Sequence, residues 1–172
     1  LIDCMKRQDK IVKYLDIPMQ HCDGEILKRM NRKGDEKSLR ELVAKLRREI
    51  PDITLRTTFI TGFPGETEEQ FNALGEFAED MRFERMGAFA YSEEEGTYAA
   101  EHFEDNIDDD TKQARLSRLM RVQQRIAEEV SAASIGKTFQ VVVDREEGEY
   151  FVGRTQYDSP EVDPEVLLLK TD

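Results

Sequence analysis

The run Thr57-Thr58-Phe59-Ile60-Thr61-Gly62-Phe63-Pro64-Gly65-Glu66-Thr67 reads as a buried strand that ends in a glycine–proline turn and passes into a capped helix. Residues 55–60 are β-branched and aromatic enough to prefer a pleated backbone, and their near-continuous apolarity suits a parallel strand covered on both faces. The strand stops at Gly62. Gly62 and Gly65 bracket Phe63-Pro64, so the turn can take positive φ or let a ligand come close to the backbone, while Pro64 fixes one φ and removes a donor. Thr67 has the character of an N-cap, with Gln70 as its capping-box partner and Glu68 and Glu69 well placed near the positive helix end. Such a junction is where α/β proteins place ligands. A plain strand–turn–helix connection fits the same spacing. A Walker phosphate loop does not, because the glycines are too close and no Lys follows the second.

Outward from this junction the chain keeps alternating. Upstream, residues 13–21 read as a short strand ending in polar residues, with Pro18 limiting its ladder. A short helix over 23–30 carries Ile26, Leu27 and Met30 on one face. A longer one over 37–50 repeats Leu39, Leu42, Val43, Leu46 and Ile50 at helical spacing and ends at Pro51. Downstream, Phe71, Leu74, Ala78 and Met81 mark a helix over 67–81, and residues 86–91 form a further core strand. Strands alternating with helices of this length predict βαβ units and a parallel sheet.

Residues 93–110 hold nine acidic side chains and no Lys or Arg, the composition of a solvated, mobile loop that could also attract a basic partner. A helix over 111–134 follows, with Leu116, Leu119, Gln123 and Ile126 along one side and Lys112, Arg115, Arg118, Arg121 and Arg125 on the other, expected to be a solvated face. The period changes after Ile135-Gly136-Lys137. Residues 138–143 and 150–155 predict a β-hairpin around Glu146-Glu147-Gly148, and Leu167 to Leu169 can begin another strand. Fewer than forty residues remain for this β-module, too few for an independent sheet core.

At 172 residues the chain has room for one medium domain and a small appendage. A net charge of -12 with 36% charged residues predicts a soluble, cytoplasmic protein, and neither a membrane span nor a signal-peptide pattern is visible. The absent initiator Met predicts a piece of a longer chain. Cys4 and Cys22 match no zinc, redox or cluster spacing. His21 beside Cys22 has too few companions to make a metal site, and idle or buried thiols are expected.

Three segments together resemble one family. They are Tyr14-Leu15-Asp16-Ile17-Pro18-Met19-Gln20-His21, the Leu55 to Thr67 junction, and Gly153-Arg154-Thr155 with Asp158-Ser159-Pro160-Glu161-Val162-Asp163. The chain resembles the RimO branch of the radical S-adenosylmethionine (SAM) methylthiotransferases, which modify an aspartate of the small-subunit ribosomal protein S twelve. The junction alone is shared with the MiaB-type transfer-RNA methylthiotransferases; the first and third segments point to the RimO branch.

The resemblance implies an α/β fold: the C-terminal half of a radical-SAM (β/α) partial barrel over residues 1–135, followed by the start of a small all-β TRAM module over 136–172. It also implies, for the full-length protein, SAM and two 4Fe-4S clusters, one of which splits SAM to a deoxyadenosyl radical that can attack an unactivated C–H bond; that chemistry belongs to the cofactors. Neither cysteine triad of the family is in this sequence, so no catalytic residue or metal ligand carries over and the isolated chain is expected to be inactive and to bind no cofactor alone. What carries over is a pocket wall. Gln20 would lie near polar groups of SAM, Arg56 and Thr58 toward its charged or ribose part, the Gly62-Phe63-Pro64 turn against the adenosine, and Phe89 and Tyr91 beside the adenine. Arg56 stands out because a charge in a buried strand needs a partner.

The implied partner is ribosomal protein S twelve or the small subunit, with no membrane. An acidic module, carrying Asp144, Glu146, Glu147, Glu149, Asp158, Glu161, Asp163 and Glu165, suits a basic protein better than transfer RNA. A non-catalytic protein-binding role is the alternative for the isolated chain. An uncovered barrel edge would favour self-association.

Overall fold

A computed structural model of the chain describes residues 1–170. Its organising element is β2 (Thr54–Thr61), which pairs in parallel with β1 (Tyr14–Asp16) on one side and β3 (Arg85–Ala90) on the other. Parallel neighbours need crossovers, and helices supply them. α2 (Gly24–Arg29) and α3 (Glu36–Glu49) connect β1 to β2, and α4 (Glu68–Met81) connects β2 to β3. α6 (Asp109–Ala132) then packs back on α4 and β3.

The central strand is not covered on both faces, as its composition led us to expect. Its exposure alternates. Leu55, Thr57, Phe59 and Thr61 are buried beneath the helices, whereas Arg56, Thr58 and Ile60 on the other face are only partly covered. The hydrophobic core therefore lies between one face of the sheet and the helical layer. Phe59, Phe77 and Phe83 meet there edge-on or tilted at centroid separations of 6.1 to 6.3 Å, with Leu46, Ile50, Phe71 and Leu74 around them. Each such side chain taken fully from water contributes roughly 1.5–3 kcal/mol, so this layer is what holds the sheet.

The helix ends follow the capping rules. Thr67 accepts from Gln70 N–H while the Gln70 side chain accepts from Thr67 N–H, the expected capping box. Asp35 and Ser38 form another at α3, and the Asp108 carboxylate accepts from Thr111 N–H at α6.

Four expectations need correction. The first strand is three residues rather than nine, because Pro18 has no N–H to donate and Gln20 takes φ 69°, leaving Gln20 joined to Phe59 by an isolated bridge. An unforeseen helix α1 (Ile2–Arg7) buries Met5 in the core beside α3. The acidic segment is not a free loop: it contains α5 (Tyr98–His102), capped by Thr97, and lies over the Gly62–Gly65 turn. Finally, the buried stripe of α6 begins with two cations, running Lys112, Arg115, Leu119, Gln123, Ile126.

After α6 the chain forms an antiparallel sheet in the order β4 (Val141–Glu147), β5 (Tyr150–Thr155), β6 (Val166–Leu169). Gly148 makes the hairpin turn at φ 54°, and a register shift falls between Val143 and Arg145. Gly153 is a close-approach position, since a Cβ there would run into the Val142 carbonyl. Val152 is the one fully buried apolar side chain among the described residues of this sheet, which fits the small core expected of so short a module. Residues 156–165, between β5 and β6, turn back onto the first sheet.

Candidate functional site

The uncovered face of β1–β2–β3 is organised in rows by the parallel register. Asp16 at the end of β1 is aligned with Arg56 and Arg85 near the N-terminal ends of β2 and β3. One step along, Thr58 is level with Gly87, and one further step brings Ile60 level with Phe89. The face thus runs from a charged floor, through a small-residue middle, to an apolar mouth at the C-terminal strand ends.

The mouth is a pocket. A cavity of about 440 Å³ is lined by Gln20, Thr58, Ile60, Phe89, Ala90 and Tyr91, with Ser92, Glu94, Thr97 and Ala99 supplying the far wall. Phe89 is 64% exposed, an aromatic face turned to the cavity rather than to the core. The Gln20 Oε1 and Tyr91 hydroxyl are shielded from solvent and have no hydrogen-bond partner among the described residues. Buried polar atoms are normally satisfied, so two orphans at one cavity mark a place for a polar ligand. Burial, and then the charges of Glu93 and Asp105, push the Tyr91 hydroxyl above the ordinary phenol range, so it stays a neutral donor.

The turn beside the mouth is held from every side. Gly62 takes φ 72° and its N–H donates to Glu66 Oε2 at 2.6 Å. Phe63 is buried between Tyr91 and Phe103, and the Pro64 carbonyl accepts from Arg29. Asn106 accepts from Gly65 N–H, so the acidic segment straps the turn down. The Gly62–Pro64 turn therefore shapes the mouth from behind, its own groups being engaged within the protein.

Behind the turn lies a buried polar network that sequence reasoning missed. Asp23 N–H donates to His21 Nδ1, which leaves the proton on Nε2 to donate to Glu66 Oε1 at 3.1 Å. Glu66 Oε2 also accepts from Arg115 at 2.7 Å. Both Glu66 and His21 side chains are fully buried, and Arg115 nearly so. One carboxylate thereby ties the end of the β1 segment, the turn and α6 together. Lys112 closes the same corner: burial works to lower its pKa, but the Asp105 and Asp109 carboxylates win and hold it raised, as a cation. The signal was present in α6, where charged residues stand at three- and four-residue spacing in line with Leu119 and Ile126; a solvated face does not continue a core stripe.

Arg56 is engaged at the floor. Its guanidinium donates to Asp163 Oδ1 at 2.8 Å and lies 3.3 Å from Asp16 Oδ2. Of the eight sequence-indicated residues, Gln20, Thr58, Phe89 and Tyr91 meet at the cavity, Gly62, Phe63 and Pro64 back it, and Arg56 lies a row below. Cys4 is exposed and Cys22 buried, and no three His, Cys, Asp or Glu side chains come together as a metal site among the described residues.

Comparison with known proteins places this geometry. Residues 2–78 match the model of the Radical SAM superfamily, and residues 135–172 match that of the TRAM domain. The ribosomal protein uS12 methylthiotransferase RimO of Parabacteroides distasonis is 54% identical over 170 residues, covering 99% of this chain and 39% of the relative. Those of Phocaeicola vulgatus and Christiangramia forsetii are 54% and 45% identical over 168 residues. The chain belongs to the RimO family.

The chain spans about two fifths of the length of these RimO relatives. In RimO terms, the parallel sheet and its helices are the radical-SAM-type region and the antiparallel sheet is the TRAM module, the architecture expected from sequence. Coproporphyrinogen III oxidase (HemN) from Escherichia coli, a radical SAM enzyme, superposes with TM-score 0.60 at 20% identity over 73% of this chain and 29% of its own, which shows the shared fold.

Proposed function

We propose that this chain supplies the C-terminal part of the radical-SAM core and the adjoining TRAM strands, residues 1–135 and 136–172, of a cytoplasmic methylthiotransferase acting on an aspartate of ribosomal protein uS12. The observation that carries the reading is the 54% identity to uS12 methylthiotransferases along 99% of the chain. The mouth supports it independently, because its residues fit SAM: an exposed aromatic face, a small-residue row and two unpartnered polar atoms. When bound with an iron–sulfur cluster, SAM supplies the radical that activates a C–H bond.

The protein's own groups do the positioning. Gln20 Oε1 offers an acceptor to the amine or hydroxyl donors of SAM, and the neutral Tyr91 hydroxyl offers a donor. Phe89 and Ile60 give the adenosine an apolar surface, and Gly87 leaves the middle row open for it. Glu66, through Gly62 N–H, keeps the turn behind Tyr91 in one conformation. The described cysteines do not fit a cluster site, so the cluster ligands of such an enzyme belong to other parts of the full-length protein.

Transfer-RNA methylthiolation is the second reading. It would ask the β-module for a basic face, whereas Asp144, Glu146, Glu147, Glu149 and Glu165 keep this one acidic, matched to a basic protein. The deciding test is anaerobic iron–sulfur reconstitution of the full-length protein, incubation with SAM and uS12, and mass spectrometry of the product. A mass gain of one methylthio group on an aspartate is expected; an unmodified uS12 under conditions where SAM is cleaved rejects the assignment.

A further inference from the structure

The floor of the half-barrel carries a charge arrangement that neither sheet can satisfy alone. Arg56 and Arg85 stand side by side in register, with side chains only 15% and 16% exposed. Two adjacent, poorly hydrated cations repel and cost free energy unless paired. The first sheet offers Asp16, which is half exposed, and the Glu84 carbonyl, which accepts from Arg85. The remaining carboxylates come from the β-module. Asp163 accepts from Arg56 at 2.8 Å and from the Tyr14 hydroxyl at 2.6 Å, and Asp158 accepts from Arg85 at 2.5 Å. Their side chains are 1% and 7% exposed.

Both aspartates also brace their own loop. Asp163 accepts from Ser159 N–H, and Asp158 from the Thr155 hydroxyl and N–H. The loop is thus prearranged to present two carboxylates at the spacing of two neighbouring strands. Directly above this row a Cβ on Gly87 would lie 3.8 Å from Arg56 and 3.9 Å from the Thr58 hydroxyl, so the Arg56 guanidinium sits one small-residue step from the pocket wall.

We propose that Asp163, with Asp158, is a positioning residue that acts through Arg56 and Arg85: it seats the β-module on the barrel floor and fixes its orientation relative to the pocket mouth. The function of this seat, presenting a basic protein substrate to the mouth, rests on the methylthiotransferase reading; the seat itself does not. Because the aspartates pair across the two sheets, docking neutralises the floor, and a module that lifts away leaves four charged groups and the Tyr14 hydroxyl to be hydrated anew. A carboxylate that merely capped its own loop would be indifferent to what stands at position 56.

The test uses the full-length protein with Arg56→Met, Asp163→Asn and the exchanged pair R56D/D163R. Hydrogen exchange is followed in peptides covering 14–16 and 157–164. Arg56→Met is expected to speed exchange of the 157–164 loop by about tenfold while the β4–β5 ladder stays protected, and the exchanged pair is expected to recover part of that protection. A loop unchanged within about twofold in Arg56→Met overturns the proposal. Should Arg56→Met fail to fold, Arg56→Lys carries the same readout, because it keeps a cation but cannot reach Asp16 and Asp163 together.

With the reconstituted enzyme, Asp163→Asn is expected to raise KM for uS12 about fivefold and leave SAM cleavage in the absence of uS12 within about twofold, the signature of lost substrate positioning. Equal loss of both would mean a general structural role and overturn the proposal. Exchange results in the predicted direction with no uS12 modification by the unaltered enzyme would instead overturn the methylthiotransferase reading and leave the seat standing.

Discussion

The two ends of the same three-stranded sheet solve opposite problems. At the floor the charged residues are mostly paired across the sheets, Arg56 with Asp163, Arg85 with Asp158 and Tyr14 with Asp163, although the Arg85 Nε is left without a hydrogen-bond partner among the described residues. At the mouth the residues are milder, yet Gln20 Oε1 and the Tyr91 hydroxyl are left unpartnered among the described residues and Phe89 is turned outward. Satisfied polar groups hold a structure together, and unsatisfied ones reserve it for something else. The difference teaches that polarity by itself does not locate a site; the balance of partners does.

The comparison can be broken most forcefully from behind the mouth. Glu66→Ala would leave the buried Arg115 with only the half-exposed Glu68 carboxylate at 3.4 Å, and Gly62 N–H without an acceptor. A loss of about 3–5 kcal/mol is expected from stripping one partner of a buried ion pair, to be read from urea denaturation midpoints. A loss below about 1 kcal/mol would show that the network contributes no more than a surface pair.

At the floor, Arg85→Met keeps the aliphatic stem and removes the charge, leaving Asp158 buried but still braced by Thr155. A destabilisation of about 1–3 kcal/mol is expected by thermal or chemical unfolding. At the mouth the balance inverts. Gln20→Leu and Phe89→Ser are expected to change stability by no more than about 0.5 kcal/mol, since neither side chain supplies the fold with a partner. Both are expected to weaken SAM binding to the full-length protein by about tenfold in equilibrium dialysis, as when a ligand loses one hydrogen bond or an aromatic face. If mouth variants destabilise as much as Arg85→Met, the contrast between the two ends fails.

The smallest effects concern pH and thiol chemistry. The carboxylates of Asp35 and Asp108 are held below the usual aspartate range, first by the backbone N–H groups of Ser38 and Thr111. A depressed carboxyl contributes stability that is present above its unfolded pKa and lost as pH falls through the folded value. The helices capped by these residues are therefore expected to loosen only in acid below the ordinary aspartate range, visible as a gradual loss of far-ultraviolet ellipticity. Burial pushes the Cys22 thiol up to about 12, so at neutral pH it is expected to resist iodoacetamide while the exposed Cys4 reacts; mass spectrometry of the alkylated peptides distinguishes the two.

What could be read from sequence follows from how local each feature is. The Thr67–Gln70 capping box, the apolar spacing of Leu74 and Ala78, and the Gly62 turn are set by residues a few positions apart, and they stand where expected. The mouth residues Gln20, Thr58, Phe89 and Tyr91 could be picked out because a family resemblance pointed to these strand ends, and the structure brings the four to one cavity. The floor could not be, since Arg56 and Asp163 are 107 residues apart and Tyr14 and Asp163 are 149 apart. Arg56 announced only that it needed a partner. Lys112 and Arg115 were set on the solvated side because a charge is usually exposed; the closest carboxylates that let them enter the core, Asp105 and Glu66, lie outside their helix. For the same reason residues 93–110 looked mobile, although Phe103 and Asn106 dock on a turn some forty residues earlier in the chain.

The Glu66 carboxylate also has a meaning in time. Its partners lie 45 residues before it and 49 after it, so its environment is complete only when two long loops have closed, and closing loops is what makes folding slow. The turn that backs the pocket is by this measure among the last features to set, after the local caps and hairpins. Glu66→Gln should accordingly speed unfolding and leave the refolding rate nearly unchanged in stopped-flow kinetics, whereas an equal slowing of refolding would place the turn in the folding nucleus. A pocket whose backing turn sets after the local caps cannot hold a ligand before the layers around it have formed.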